Sequence, residues 1–219
     1  FTAGMVSNLL ASMARGALSL VLVFYFQGVL LLSAFSAGLM LMPFSIAFVT
    51  IGPLSGYLSD RYGSRGFATA GLLVTAVALF WFGILPFGDY GQIVIPMVIA
   101  GIGGGMFVAP NVASIMNATP AERRGVASGM SSTLINAGFL LSLGLAFVIM
   151  AASVPVSTLQ VIFAGSSTPI AQGQLGQFVS SLHLIFLLMG FVSLFAAVPA
   201  FLAKKKAPKY DKTNAPGVG

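Results

Sequence analysis

Six long apolar segments constrain the fold of this chain more than any other feature of its sequence. Each is long enough to supply the roughly 20 residues that an α-helix needs to cross a hydrocarbon layer of about 30 Å. They comprise residues 5–26, 36–59, 67–85, 93–116, 126–152 and 179–203. Only 6% of the 219 residues are charged and 58% are hydrophobic, too few polar side chains to cover a soluble fold. Because the apolar runs are continuous and do not alternate, the sequence predicts an all-α membrane protein with six transmembrane helices.

The basic residues predict how these helices are oriented. Nine of the ten Lys and Arg residues lie in alternate connectors or in the tail: Arg61, Arg65, Arg123, Arg124, Lys204, Lys205, Lys206, Lys209 and Lys212. The opposite connectors, residues 27–35, 86–91 and 153–178, hold neither Lys nor Arg. The positive-inside rule then places both termini in the cytoplasm, and we expect a plasma or inner membrane. The net charge of +6 reflects contact with the lipid bilayer and not with nucleic acid.

The remaining segments predict the domain boundaries. We expect residues 1–203 to form one six-helix bundle and residues 204–219 to form a basic, disordered cytoplasmic tail. Residues 153–178 are rich in Ser, Gly and Gln, which predicts an extracytoplasmic loop with a short interfacial helix at 159–164. The chain begins at Phe1 and not at methionine, so we expect it to be a piece of a longer protein.

The connector at residues 56–66, called the motif loop below, carries a specific pattern. Its glycines and charges stand in a fixed order: Gly56, Asp60, Arg61, Gly63 and Arg65. This order resembles the G-x-L-A-D-R-x-G-R-R signature of the major facilitator superfamily, with Ser59 in the place of alanine. Residues 25–28, 37–43 and 121–129 extend the resemblance to the C-terminal six-helix half of fourteen-helix drug:proton antiporters. The fourth span lacks the usual family arginine and the fifth lacks a G-P-x-x-G-G stretch, which favours the C-terminal over the N-terminal half.

The resemblance implies a transporter built from two six-helix halves, with a small-molecule substrate bound between them near the middle of the bilayer. It implies export of hydrophobic or amphipathic compounds by alternating access, coupled to proton entry. It also implies that Gly56 permits close helix packing, while Asp60 pairs with a helix N-terminus and a basic side chain. On this basis we expect the motif loop to act as a cytoplasmic gate.

Arg15 is the one charge deep within a predicted span. At about 100° per residue, it shares a narrow arc of its helix with Asn8, Ser12 and Ser19. A charge at the bilayer centre costs about 2.5–3.5 kcal/mol on insertion scales, which favours an arginine that lines a cavity or pairs with an acid over one that reaches for an interface. The predicted substrate cavity comprises Asn8, Ser12, Arg15, Ser19, Ser132 and Asn136. Packing between helices is the alternative explanation for the polar residues of the fifth span.

The sequence offers little for catalysis or for metal binding. It contains no Cys and a single His, His183, and no plausible nucleophile and base. We therefore predict no enzyme activity, no metal site and no cofactor. The glycine run at residues 101–105 lies inside an apolar span, so helix packing explains it better than phosphate binding.

The sequence offers no obvious titratable residue within the predicted spans to carry a coupled proton. Its four acids, Asp60, Asp89, Glu122 and Asp211, all lie outside the predicted spans. The carrier would then lie in another half or be His183. Two alternatives stay open: a facilitator for uptake of a sugar or metabolite, and a non-transporting six-helix partner of another membrane protein.

Overall fold

A computed structural model of the chain describes residues 1–86, 88–155, 159–160 and 172–202. Their seven α-helices are α1 (Thr2–Gly28), α2 (Ala34–Met40), α3 (Met42–Tyr62), α4 (Ser64–Ile84), α5 (Tyr90–Asn117), α6 (Arg124–Ser153) and α7 (Gln172–Leu202). A 3-10 turn, Ala121–Arg123, leads into α6. Within this part of the chain, six helices have the length and composition to cross a membrane. The predicted all-α fold and number of spans are confirmed.

The second predicted span is divided into two helices. α2 ends at Met40, and α3 begins at Met42 with Pro43 in its first turn. In one continuous helix the proline ring would clash with the carbonyl of Leu39, four residues earlier, whereas the first turn needs no N–H from residue 43. Ser33 caps α2 by accepting a hydrogen bond from the Ser36 N–H at 3.2 Å. The prediction of one helix over residues 36–59 is corrected accordingly.

The last helix begins earlier than its apolar residues indicate. α7 starts at Gln172, so residues 172–178 are helical although we predicted them to be part of a loop. A helix continues past the apolar segment wherever its own hydrogen bonds can form, because the bilayer limits the apolar length and not the helix length. Most of the predicted interfacial helix at 159–164, and the predicted tail at 204–219, lie outside the described residues.

The spanning helices differ sharply in burial. In α1, 61% of the most apolar window is buried within the protein, against 11% in α3 and 22% in α6. α1 packs against α6 and α7, α5 packs between α3 and α4, and α4 also contacts α7. α3 and α6 therefore each present a long apolar face that no described part of the chain covers.

The glycine run of α5 brings three helix backbones together. A Cβ atom on Gly103 would lie 2.7 Å from the carbonyl oxygen of Gly71 on α4, and one on Gly105 would lie 2.8 Å from that of Phe48 on α3. A Cβ on Gly101 would meet the carbonyl oxygen of Phe44, also on α3. The predicted packing role of this run is therefore confirmed. Small residues allow this approach, and van der Waals contact drives helix association in lipid.

The described basic residues outside α1 lie at one end of the bundle. Arg61 and Arg65 flank the short connection between α3 and α4, Arg123 ends the 3-10 turn before α6, and Arg124 is the first residue of α6. Arg65 contacts Phe201 near the end of α7, and Ala68 near the start of α4 packs in one cluster with Phe107 of α5 and Ala200 of α7, so these connections share one side. The opposite end carries Asp89 at the start of α5.

Candidate functional site

A cavity of about 290 Å³ lies halfway along the bundle and is lined by α1, α3 and α6. Its walls are formed by Ser12, Arg15, Ser19, Phe44, Phe48, Ile135 and Phe139. Arg15 is thirteen residues from each end of α1, so the cavity falls near the middle of the helix. We refer to it as the Arg15 cavity. Because Phe139 is 45% exposed, the cavity is open on the side where α3 and α6 present their uncovered faces.

Arg15 enters this cavity without a partner among the described residues. Its Nη1 atom is buried and has no hydrogen bond, and within the described residues its guanidinium forms no hydrogen bond or ion pair. α5 approaches it through Gly104, where a Cβ atom would lie 3.7 Å from Cδ of Arg15 and 3.0 Å from the ring of Phe48. Five N–H donors therefore remain available at the middle of the bundle.

The predicted polar stripe of α1 divides between two roles. Ser12 and Ser19 line the Arg15 cavity, as their positions beside Arg15 indicate. Asn8 instead donates a hydrogen bond from Nδ2 to Oγ of Ser131 at 2.8 Å, in the contact between α1 and α6. Ser12 donates its hydroxyl proton toward the backbone oxygen of Asn8 at 2.7 Å. Asn8 is not among the lining residues, and its contact with substrate stays a prediction.

On α6, the polar residues that we predicted to bind substrate are not the residues that line the Arg15 cavity. Ser132 and Asn136 are exposed on the uncovered face of this helix, whereas Ile135 and Phe139 line the cavity. The predicted part of Ser132 and Asn136 in substrate binding therefore depends on what covers that face, and it stays a prediction.

The aromatic walls of the cavity were not predicted from the sequence. Phe44 and Phe48 lie one helical turn apart on α3, with ring centroids 6.2 Å apart and ring planes at 28°. Their spacing of four residues was the available signal, because residues i and i+4 share a helix face. Such a pair also occurs in ordinary helix packing, so the spacing alone does not indicate a binding site.

The motif loop makes a turn that depends on Gly63. This residue is both the C-cap of α3 and the N-cap of α4, with φ of 97° and ψ of 137°. Its N–H donates to the carbonyl oxygen of Ser59 at 2.8 Å, which ends α3. A side chain at this φ is strained, so only glycine reverses the chain here without cost.

The charges of the motif loop contact aromatic rings. The guanidinium carbon of Arg61 lies 4.8 Å from the ring centroid of Tyr57, and that of Arg65 lies 4.1 Å from the ring centroid of Phe201. Asp60 is exposed in the last turn of α3 and forms no ion pair with any described residue. The pairing that the resemblance implies for Asp60 is therefore not formed among the residues described.

Gly56 has room for a side chain. A Cβ atom there would lie 3.5 Å from Cβ of Ala109, an ordinary van der Waals distance. The close packing that the resemblance implies for Gly56 is thus not required by the described helices of this chain.

Replacing Gly63 by alanine is expected to destabilise the protein by about 1–3 kcal/mol, because alanine must adopt the sparsely populated conformation of this turn. Thermal unfolding in detergent measures the effect. Gly66→Ala is the matched control: Gly66 lies within α4, and a Cβ atom there meets nothing within 4 Å. Alanine favours a helix over glycine, so this control should be neutral or stabilising. Equal losses in both variants would contradict the prediction.

The described residues provide no cluster of three or more His, Cys, Asp or Glu side chains able to hold a metal ion. His183 lies away from the Arg15 cavity, with Nε2 2.9 Å from the carbonyl oxygen of Leu85 at the end of α4.

Comparison with known proteins gives a consistent set of relatives. The sequence profile of the Major Facilitator Superfamily matches residues 4–219. The chain is 39% identical to the uncharacterized transporter YebQ of Escherichia coli over 111 residues, which is 50% of this chain and 24% of that protein. It is 29% identical to the riboflavin transporter RibZ of Clostridioides difficile over 148 residues, 67% of this chain and 32% of that protein. It is also 29% identical to the lincomycin resistance protein LmrB of Listeria monocytogenes over 153 residues, 69% of this chain and 32% of that protein. The chain thus spans about a quarter to a third of the length of these relatives.

Proposed function

Since the chain belongs to the major facilitator superfamily, we propose that its six spanning helices form part of a secondary transporter for small hydrophobic or amphipathic compounds. The observation that carries this proposal is the Arg15 cavity, which lies at mid-span and combines aromatic walls with one charged group. Ligand sites typically join an apolar lining to a few polar groups. The lincomycin resistance protein among the relatives favours export as the direction.

We propose further that residues 1–203 form one six-helix domain and that a second six-helix half completes the transporter. The uncovered faces of α3 and α6 support this arrangement. Val49 on α3 is 68% exposed and Leu140 on α6 is 64% exposed, and both helices border the open side of the Arg15 cavity. A substrate site between two halves, exposed to each side in turn by their rocking, would then provide alternating access.

We propose that the protein lies in a plasma or inner membrane. The distribution of charge supports an orientation with both termini in the cytoplasm. The end of the bundle that carries Arg61, Arg65, Arg123 and Arg124 would face the cytoplasm. The start of α1 lies at this same end, because a Cβ atom on Gly4 would lie 2.9 Å from Ile115 near the end of α5.

We propose that export is coupled to proton entry, and that the proton carrier lies outside the Arg15 cavity of this chain. No described acid lines the cavity, since Asp60, Asp89 and Glu122 all lie at helix ends or in connections. His183 contacts Leu85 at a different place in the bundle. A titratable group of the proposed second half is therefore the favoured carrier.

Transport into proteoliposomes tests this function. The protein would be reconstituted with any subunit that copurifies, and entry of lincomycin, riboflavin and an aromatic carboxylate would be followed with and without an imposed pH gradient. We expect uptake into inside-out vesicles that a proton gradient accelerates. Gradient-independent movement of a sugar instead would favour the facilitator, and transport of no compound would favour the non-transporting partner.

Substituting Asp60 by asparagine is expected to shift the balance between inward-open and outward-open states by about two- to fivefold. A carboxylate that reaches a helix N-terminus in only one of the two states stabilises that state by about 0.3–1 kcal/mol, and this difference is what shifts the two populations. The chain contains no Cys, so a single Ser132→Cys change supplies a label whose accessibility from the cytoplasmic side reports the shift.

The control for this experiment is Asp89→Asn, the same change at the opposite end of the bundle. Asp89 caps α5 by accepting a hydrogen bond from the Gly91 N–H at 3.1 Å, and asparagine caps helices equally well. Labelling and transport should therefore stay as in the unmodified protein. If Asp60→Asn likewise changes neither labelling nor transport rate, Asp60 has no part in a gate.

A further inference from the structure

The polar groups of the Arg15 cavity are strongly biased toward hydrogen-bond donors. Arg15 contributes five N–H donors and no acceptor, and it keeps its charge under all physiological conditions. Ser19 also lines the cavity, and its hydroxyl forms no hydrogen bond with any described residue, so it too can donate. Ser12 already directs its proton to the backbone oxygens of Asn8 and Leu9, at 2.7 and 2.8 Å, so it offers the cavity only an acceptor, which the five donors of Arg15 outnumber. The cavity therefore favours a ligand that supplies acceptors to Arg15.

The charge of the cavity has one sign. None of its seven lining residues is acidic, and Arg15 forms no ion pair with a described residue. A cationic ligand would therefore face an uncompensated positive charge near the middle of the bilayer, where water screens it poorly. An oxyanion would neutralise that charge and accept paired hydrogen bonds from the planar guanidinium.

The remaining walls suit a flat apolar group. Phe44, Phe48 and Phe139 contribute three rings, and Ile135 adds an aliphatic surface. Aromatic rings prefer stacked or edge-on contact with other rings, which favours an aromatic ligand body over a branched aliphatic one. Gly104 keeps α5 close without filling this space, since a Cβ there would press on the ring of Phe48.

We propose that the Arg15 cavity binds small aromatic organic anions, with the anionic group on the guanidinium of Arg15 and the ring among Phe44, Phe48 and Phe139. The proposal rests on the proposed transport function and narrows its substrate class, from amphipathic compounds in general to those that carry a carboxylate or a similar oxyanion.

Binding of two matched probes tests the proposal directly. 2-Naphthoate and 2-naphthamide have the same ring system and nearly the same shape, and they differ in charge. The protein would be purified in nanodiscs with any subunit that copurifies, and the two affinities measured by calorimetry. We expect 2-naphthoate to bind at least tenfold more tightly than 2-naphthamide, because hydrogen bonds between charged partners are about twice as strong as neutral ones.

Substitutions at Arg15 separate the charge from the shape of the site. Arg15→Gln should weaken 2-naphthoate binding by about tenfold to a hundredfold and leave 2-naphthamide within about twofold. Arg15→Lys keeps the charge but loses the planar fork, so its affinity for 2-naphthoate should lie between the two. Arg123→Gln removes an exposed arginine outside the cavity and should change neither affinity.

Three results would overturn the proposal: equal affinities for the two probes in the unmodified protein, equal losses for both probes in Arg15→Gln, and binding of neither probe. The first two leave the proposed transport function intact if lincomycin or riboflavin still enters proteoliposomes. Conversely, Arg15-dependent binding of 2-naphthoate without transport of any compound would support the anion site and contradict transport. The failure of one idea is thus distinguishable from the failure of the other.

Discussion

Replacing Gly103 by valine is expected to abolish most of the correctly folded protein. A Cβ atom at this position would lie 2.6 Å from the backbone nitrogen of Thr75 and 2.7 Å from the carbonyl oxygen of Gly71. A side chain at Gly71 would clash in the same way, since its Cβ would lie 2.6 Å from the carbonyl oxygen of Gly103. Backbone atoms cannot rotate away as a side chain can, so α4 and α5 would have to separate.

The cost of this change is large because close packing is the main attraction between helices in lipid. Overpacking in a well-packed interior costs about 1–3 kcal/mol, and here the obstacle is backbone on both sides. The yield of monodisperse protein in size-exclusion chromatography and the temperature of thermal unfolding both measure the effect. We expect a severalfold drop in yield and a clearly lower unfolding temperature.

Gly144→Val provides the matched control. Gly144 lies within α6, and a Cβ atom there would meet nothing within 4 Å. Both substitutions place the same β-branched residue inside a spanning helix, so their difference isolates the contact between α4 and α5. Similar losses from the two variants would show that helix propensity, and not this contact, determines the result.

The sequence predicted the spans well because lipid leaves the backbone few choices. A long apolar run must satisfy its hydrogen bonds internally, which only a helix does for a single segment. It predicted the helix ends less well. The Gln- and Gly-rich residues before Val179 continue α7 back to Gln172, since helix formation outside the bilayer depends on local hydrogen bonds and not on apolarity.

The candidate site was predictable only in part. Arg15 was recognisable because a charge at the middle of a spanning helix costs free energy. Ser12 and Ser19 were recognisable because they share the helix face of Arg15. Asn8 shares that face but lies seven residues earlier, about 10 Å along the axis, where the neighbouring residue is Ser131 of α6. A single helix shows which residues share a face, whereas the neighbours at each height depend on how the helices cross.

Substituting Arg15 by methionine is expected to stabilise the protein and to impair transport at the same time. Arg15 forms no ion pair or hydrogen bond among the described residues, so its removal breaks no described contact. A charge at the centre of a spanning helix costs about 2.5–3.5 kcal/mol, and the gain in stability should approach that value. Methionine keeps a long flexible stem beside Gly104, so the change removes the charge without opening a large void.

The opposite signs of the two effects distinguish a functional arginine from a structural one. Thermal unfolding in nanodiscs should shift upward, while the transport rate in proteoliposomes should fall at least tenfold if Arg15 binds the substrate. Arg65→Met serves as the control, because Arg65 stacks on Phe201 at 4.1 Å and its loss should lower stability by about 0.5–1 kcal/mol. A lower unfolding temperature for Arg15→Met would instead mean that Arg15 is held by an acid outside the described residues. In that case the charge of Arg15 would stabilise the assembled protein, and the proposal that substrate binds in the Arg15 cavity would be contradicted.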